Sequence, residues 1–212
     1  MQLVKLAELA KQREIAARMA WLSFDQSPVT TIEHEVRHWE NSHFAAVDIQ
    51  DLDMITEVLQ GADPKSDIEE TLNSKQDRHH CAEAWRYALL IYIERVFRWD
   101  RGSHRSPELT LLVRKTLDHV RSCRRTSQTQ KQLLLPVFLA GSETADEEMR
   151  RFVREYFQWW ATRSRYNMFN SAALLLEEVW KRGHAYTWWG SVIDQKTRHG
   201  EAEEAGMQFL LG

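Results

Sequence analysis

The sequence predicts an all-α protein, a bundle of several helices. Apolar residues recur at intervals of three and four along most of the chain, which is the spacing of one helix face. No alternation typical of a strand persists, and the 212 residues include only 8 glycines and 4 prolines. The 9 tryptophans add large apolar surfaces for burial between helices. A chain of this length can bury a core without disulfides or a structural metal.

The N-terminal part of the chain, residues 1–60, is predicted to be a helical segment. An amphipathic helix covers about residues 2–24, and Pro28 separates it from the next helix. That second helix runs over about residues 30–40, and a weaker third helix holds the apolar side chains of residues 52–59.

Residues 61–79 are polar and carry Pro64 among many charges, a pattern typical of a linker or mobile loop. We therefore expect any internal boundary to lie here, and we expect residues 80–212 to form the core of the domain. Within that core, residues 80–99 are apolar on most sides, which predicts a central helix surrounded by others.

The next helix has a clear start signal. Ser106 is predicted to be its N-cap and Pro107 its first residue, since proline suits that position. Apolar residues then follow the helical spacing over residues 109–120. The sequence thus predicts one buried face on this helix.

The following segment, residues 132–140, is apolar but interrupted by Pro136, so we expect a kinked helix that ends at Gly141. Thr144 and Glu147 fit a capping box at the start of another amphipathic helix. This arrangement predicts two consecutive helices joined by a short turn.

Asn167 or Asn170 is expected to cap the last long helix, which Gly183 ends. Residues 186–193 form a short aromatic segment, and the chain returns to apolar residues over 207–211. We expect this apolar end to pack on the bundle or against a partner.

Charge and cysteine content exclude several classes of protein. The net charge of −3 gives no overall basic field of the kind that nucleic-acid binders carry. The two cysteines, Cys81 and Cys123, exclude a disulfide framework and a four-cysteine zinc site, and they favour a reducing compartment. The longest apolar run, residues 87–93, is too short to cross a bilayer, so we expect no membrane association.

One short motif is typical of zinc hydrolases. His34, Glu35 and His38 form an H-E-x-x-H pattern, in which two imidazoles on one helix face bind Zn²⁺ and the glutamate acts as general base. A catalytic zinc needs a third protein ligand, and Asn41 and Phe44 stand where the extended motif requires glycine and histidine. We therefore predict no catalytic and no metal-binding residue, and keep a zinc-dependent hydrolase as the alternative.

Two other patterns are better explained by structure than by chemistry. The His-His-Cys stretch 79–81 is predicted to be the polar start of a helix, because adjacent ligands point apart on a helix. The tryptophan pairs 159–160 and 188–189 suit a ligand pocket, but such pairs are more typical of a core. The ligand-binding residues therefore stay unknown.

Three stretches in a fixed order carry a resemblance to a known family. They are Glu83–Ile93 (EAWRYALLIYI), Leu135–Glu143 (LPVFLAGSE) followed by Arg150 or Arg151, and Leu174–Trp180 (LLLEEVW) followed by Trp188-Trp189-Gly190. As a set they resemble the fungal-specific transcription factor domain, over roughly residues 78–212. Many members of that family have cysteine where this chain has Ser142.

The resemblance implies a non-enzymatic regulatory domain of a fungal Zn2Cys6-type transcription factor, which controls transcription by RNA polymerase II in the nucleus. It implies action through coregulator proteins, self-association or a small apolar effector, and it names no effector, target gene or sign of regulation. The family's DNA-binding module needs six cysteines around two zinc ions, and this chain has two cysteines. Zinc and DNA contact are therefore expected only in a module that this chain lacks. The segment around Pro136 and residues 61–79 are expected to move when the domain is switched.

Overall fold

A computed structural model describes residues 2–19, 21–39, 64–99, 106–182, 189–190 and 192. These residues form helices joined by short turns, and none of them lies in a strand, so the predicted all-α fold is confirmed. The helices are α1 (Gln2–Arg18), α2 (Ser27–Arg37), α3 (Pro64–Ile93), α4 (Pro107–Ser122), α5 (Gln128–Lys131), α6 (Leu134–Glu143), α7 (Glu147–Ala161) and α8 (Met168–Lys181).

The longest helix, α3, lies at the centre of the described bundle. It packs along α4 and against α2, and both α3 and α4 contact α6. On the other side of α6 lie α7 and α8, which also pack on each other. One continuous apolar core joins these helices, and its largest fully buried side chains include Phe138, Phe157, Phe169, Ile91 and Leu117.

The start of α4 confirms the predicted cap. The hydroxyl of Ser106 accepts a hydrogen bond from the Leu109 backbone N–H at 3.1 Å, and Pro107 is the first helical residue. This bond satisfies one of the N–H groups that a helix start leaves without a partner. The apolar stripe is buried as expected, through Leu109, Leu112, Val113, Thr116, Leu117 and Val120.

The start of α7 differs in its cap from the expected capping box. Asp146 is the N-cap, and its carboxylate accepts hydrogen bonds from the N–H groups of Glu148 and Met149 at 2.8 and 3.1 Å. Thr144 instead accepts from the Asp146 N–H at 3.2 Å, within the extended segment before the helix. Aspartate is among the best N-cap residues, so it takes the role that Thr144 was expected to fill.

The linker predicted over residues 61–79 is wrong from Pro64 onward, because α3 begins there. Its polar composition suggested a loop, yet a helix interior tolerates polar side chains that face solvent. Asp77 is an exception, since it is buried, and its carboxylate accepts hydrogen bonds from the Arg124 backbone N–H at 2.9 Å and from the Arg124 Nε at 2.8 Å. A polar contact far along the chain thus fixes this half of α3, which an apolar periodicity could not reveal.

The division into an N-terminal segment, residues 1–60, and a core, residues 80–212, stays a prediction. The described part of that segment packs on the core, since Val29, Ile32 and Val36 of α2 belong to the same buried cluster as the later helices.

The kink expected at Pro136 is wrong, because α6 begins at Leu134 and the proline lies in its first turn. Backbone N–H groups in a first turn have no partner within the helix, so proline removes no bond there. The helix also continues through Gly141 to Glu143. A Cβ atom at position 141 would lie 3.0 Å from Cγ1 of Val153 on α7, so this glycine permits a close approach between helices.

Near the C-terminus, α8 follows Asn167, whose side chain makes no cap bond to the backbone. Trp189 and Val192, from the predicted aromatic segment, are buried. The helix predicted over residues 52–59 and the apolar end at 207–211 lie outside the described residues. Among the helices that the structure describes, none has the length and apolar character needed to cross a membrane.

Candidate functional site

A buried ion pair lies between the end of α3 and the end of α6. The guanidinium Nε of Arg95 donates to Oε1 of Glu143 at 2.6 Å, and the two side chains are 1% and 0% exposed. Removing two charges from water costs several kcal/mol per ion, about as much as a well-placed pair recovers. Such a pair is weak evidence for stability, but it requires both partners to stay in place together.

Arg95 points inward because the backbone changes pitch after α3. Residues Glu94–Arg98 form a π-helical turn, in which Arg95, Val96 and Phe97 are all buried. The wider turn brings three consecutive side chains toward the core, which an ordinary amphipathic helix does not do. The Arg95 guanidinium carbon also lies 4.0 Å from the centre of the Trp99 ring, in cation–π contact.

The three stretches that carry the family resemblance contact one another in the core. The second stretch is α6, whose residues from Pro136 to Glu143 are all buried. The third stretch reaches it through Trp180, whose indole N–H donates to the Gly141 carbonyl at 2.9 Å. The first stretch, in α3, contributes Tyr92, and Trp189 lies with its ring 6.1 Å from the rings of both Tyr92 and Phe138.

Two arginines of α7 cover the outer face of Trp180. The guanidinium carbons of Arg150 and Arg154 lie 5.4 and 4.7 Å from its ring. Arg154 also bonds Glu177 at 2.6 Å and Glu147 at 2.8 Å, and these hydrogen bonds raise its pKa above the ordinary arginine value. Of the two arginines that the motif offered, Arg150 is the one that contacts the core, since Arg151 is exposed.

A second polar centre, which the sequence analysis missed, surrounds Gln130 of α5. Its buried amide donates to the carbonyls of Val120 and Cys123 at 3.3 and 3.0 Å, and accepts from the Trp160 indole at 3.2 Å. The Tyr156 hydroxyl donates to the Gln130 carbonyl at 2.9 Å. A glutamine in a polar stretch gives no sequence signal of this role, whereas a charge such as Arg95 within an apolar helix does.

The H-E-x-x-H motif lies at the end of α2, with His38 as the C-cap, and α2 packs beside α1. The rings of His34 and His38 stack with centres 4.0 Å apart, and the His38 Nδ1 lies 2.9 Å from the His34 carbonyl oxygen. The Glu35 carboxylate accepts a hydrogen bond from the Gln2 amide at 2.7 Å. His34 and Glu35 border an open, shallow depression at the start of α2. Over the described ranges, no three His, Cys, Asp or Glu side chains are grouped as a metal site.

The prediction that the stretch 79–81 starts a helix is wrong, because this stretch lies in the middle of α3. His80 there reaches across to His119 of α4, with the two Nδ1 atoms 3.0 Å apart. The neighbouring Cys81 and the distant Cys123 are free, buried thiols. Burial raises the pKa of Cys81 to about 11 and that of Cys123 to about 12.

Comparison with known proteins gives one family. A family model described as "Fungal specific transcription factor domain" matches residues 27–199, which is most of the chain. No curated protein and no solved structure matches the chain.

Proposed function

The chain belongs to the family of fungal-specific transcription factor domains, and from this premise we propose that it is the regulatory domain of a Zn2Cys6-type factor acting on RNA polymerase II in the nucleus. A role in transcription regulation follows from the family itself. The finer proposal is that this domain controls transcription by contacting another protein, either a coregulator or a second copy.

Exposed apolar side chains at the N-terminal end support the proposed protein contact. Trp21 is 81% exposed, and Val4 is 72% exposed on α1. Ile15, Met19 and Leu22 are also exposed, and Val4 and Ile15 share one face of α1 at helical spacing. Exposed apolar groups of this kind mark interaction surfaces, and tryptophan often carries much of the binding energy at such a surface.

A second mode is the binding of a small apolar effector within the bundle. The observation that favours it is the cluster of Tyr92, Phe138 and Trp189, where three parts of the chain bring aromatic rings together in the core. Aromatic walls between helices are typical of sites for apolar ligands. An effector would shift the domain between two states only if it bound one of them more tightly.

The proposal assigns no zinc to this chain, and places zinc and DNA contact in a separate module. The family match does not favour the alternative, a hydrolase that uses His34, Glu35 and His38. Native mass spectrometry of the purified chain separates the two. A metal-free mass supports the regulatory domain, and a co-purified apolar molecule would identify the effector. A stoichiometric zinc adduct that disappears in His34→Gln or His38→Gln would revive the hydrolase.

A reporter assay tests the proposed regulatory contact. The chain is fused to an unrelated DNA-binding domain, and transcription from a promoter carrying its site is measured in yeast. We expect the fusion to change transcription, and Trp21→Ala to reduce that change at equal protein level. Tyr166→Ala is the matched control, since Tyr166 is exposed in another part of the described bundle. A fusion without effect on transcription, or equal loss in both variants, would contradict the proposal.

A further inference from the structure

Two histidines from different helices meet between α3 and α4. Their residue numbers differ by 39, and the Nδ1 atoms of His80 and His119 lie 3.0 Å apart. Two ring nitrogens at this distance form a hydrogen bond only if one carries a hydrogen and the other offers its lone pair. The contact therefore tolerates one protonated imidazole but not two, because two N–H groups would then oppose each other.

The surroundings hold this pair in position. The Tyr87 ring stacks on His119 with centres 5.6 Å apart and an angle of 19° between the rings. His79, which precedes His80 on α3, lies edge-on to the rings of both histidines. Its ring centre is 5.5 Å from that of His80 and 6.4 Å from that of His119. From α4, Lys115 lies with its ammonium 5.1 Å from the centre of Tyr87. A second positive charge on the pair would thus arise close to another histidine and a lysine.

Two described carboxylates whose charge acts on His80 or His119 are already bound to arginines. Glu83 accepts hydrogen bonds from Arg86 on α3, with the Nε to Oε2 distance 3.1 Å. Asp77 accepts from Arg124, in the segment between α4 and α5. These ion pairs reduce the negative potential that would otherwise compensate a doubly charged histidine pair.

Burial acts in the same direction as this geometry. It is the largest cause that lowers the pKa of His80, followed by the charge of His79. It is also the largest cause for His119, whose pKa is further lowered by the charge of His80.

We propose that His80 and His119 form a pH-sensitive contact, which joins α3 to α4 at neutral pH and weakens that joint when both imidazoles become protonated. The inference does not rest on the proposed function. A histidine with a lowered pKa binds its proton more weakly in the folded chain than in the unfolded chain. Stability is therefore complete above the unfolded value of about 6.5 and decreases as the pH falls below it.

Urea unfolding at pH 7.5 and pH 5.5 tests the energetic part. We expect the unfolding constant of the wild type to rise about tenfold more between these pH values than that of His119→Gln, on the scale of one pKa unit. His38→Gln is the matched control, because it removes a histidine from the stacked pair of α2, and it should change the pH dependence less than His119→Gln does. An equal pH dependence in the wild type and in His119→Gln would overturn the proposal.

Long-range proton–nitrogen NMR spectra of the wild type test the contact directly and need no variant to fold. We expect one of the two Nδ1 atoms to carry the hydrogen at neutral pH, and the two rings to titrate in two separate steps below pH 6.5. Two rings that both carry the hydrogen on Nε2, and that titrate independently with ordinary pKa values, would overturn the proposal.

Discussion

The guanidinium of Arg95 and the carboxylate of Glu143 form an ion pair at 2.6 Å, with both side chains almost fully buried. The pair joins the π-helical turn after α3 to the last residue of α6, which is also the last residue of the most recognisable family stretch. The two segments must therefore stay together in the folded chain, since either charge alone would be buried without compensation.

Replacing one member of the pair should destabilise the fold strongly. Arg95→Met leaves the Glu143 carboxylate buried without its cation, and breaking a buried pair in this way costs about 3–5 kcal/mol. The free energy of unfolding, measured with urea, checks this value. We expect the double variant Arg95→Met with Glu143→Leu to recover most of the loss, because apolar side chains of similar volume suit this core.

The matched control for this pair is Arg18→Met, which removes the arginine of an exposed pair with Glu14 on α1. Exposed pairs contribute little, so its free energy of unfolding should stay close to that of the wild type. A loss as small in Arg95→Met as in Arg18→Met would show that water reaches the pair.

The sequence predicted the elements that depend on local signals. The Ser106–Pro107 start of α4 and its apolar stripe needed only spacing and capping preferences. The first half of α3 escaped prediction because its fixed point is a polar contact between Asp77 and Arg124, whose positions differ by 47 in the chain. The partner of Arg95 escaped for the same reason, since a buried charge shows in the sequence but its distant partner does not.

The histidine motif on α2 shows what local spacing can and cannot predict. Its spacing predicted that His34 and His38 share a helix face, and the stacked rings confirm this. The spacing of two residues carries no information about a third ligand, which only the folded chain brings near. At the candidate site around Arg95 and Glu143, the sequence offered a charge within an apolar helix and the family resemblance of α6, but nothing that joined the two.

A methyl group at position 141 should be unfavourable because of Val153. Gly141→Ala places a Cβ atom 3.0 Å from Cγ1 of that buried valine, and overpacking of this kind costs about 1–3 kcal/mol. Helix propensity opposes the cost, since alanine is favoured over glycine by about 1 kcal/mol in a helix. We therefore expect Gly141→Ala to destabilise the wild type but to stabilise the Val153→Ala background. Urea unfolding of the four proteins measures this coupling, and additive effects would contradict the predicted contact.

The first half of α3, from Pro64 to His79, should resist proteolysis while Asp77 anchors it. Trypsin cuts after Lys75 and Arg78 only where the local helix opens, and the bonds from Arg124 to Asp77 oppose that opening. We expect little cleavage at these two sites in the wild type and rapid cleavage in Asp77→Ala, followed by mass spectrometry of the fragments. Glu69→Ala, an exposed change on the same helix, is the control and should behave as the wild type. Rapid cleavage of the wild type here would restore the mobile loop.

The two thiols should be unreactive in the folded chain. A thiolate is the reactive form, and burial raises the pKa of Cys81 to about 11 and that of Cys123 to about 12. At pH 8 the thiolate fraction then falls from about a quarter, for an ordinary pKa of about 8.5, to about a thousandth or less. A disulfide reagent such as dithiobisnitrobenzoate should therefore label the native protein at least about a hundredfold more slowly than the protein in urea.

The same raised pKa values fix the sign of a stability change in alkali. Above about pH 8.5 the unfolded chain releases its thiol protons while the folded chain keeps them, so stability decreases as the pH rises through this range. Urea unfolding between pH 7.5 and 10 should show this decrease, and Cys123→Ala should make it smaller because one raised pKa is removed. Cys81→Ala provides the matched comparison and should reduce the decrease by about the same amount, because the folded pKa values of both thiols lie above pH 10. The contradicting outcome for the labelling experiment is fast reaction of both thiols in the native protein at pH 8. It would mean that α3 and the end of α4 open often enough to expose the thiols.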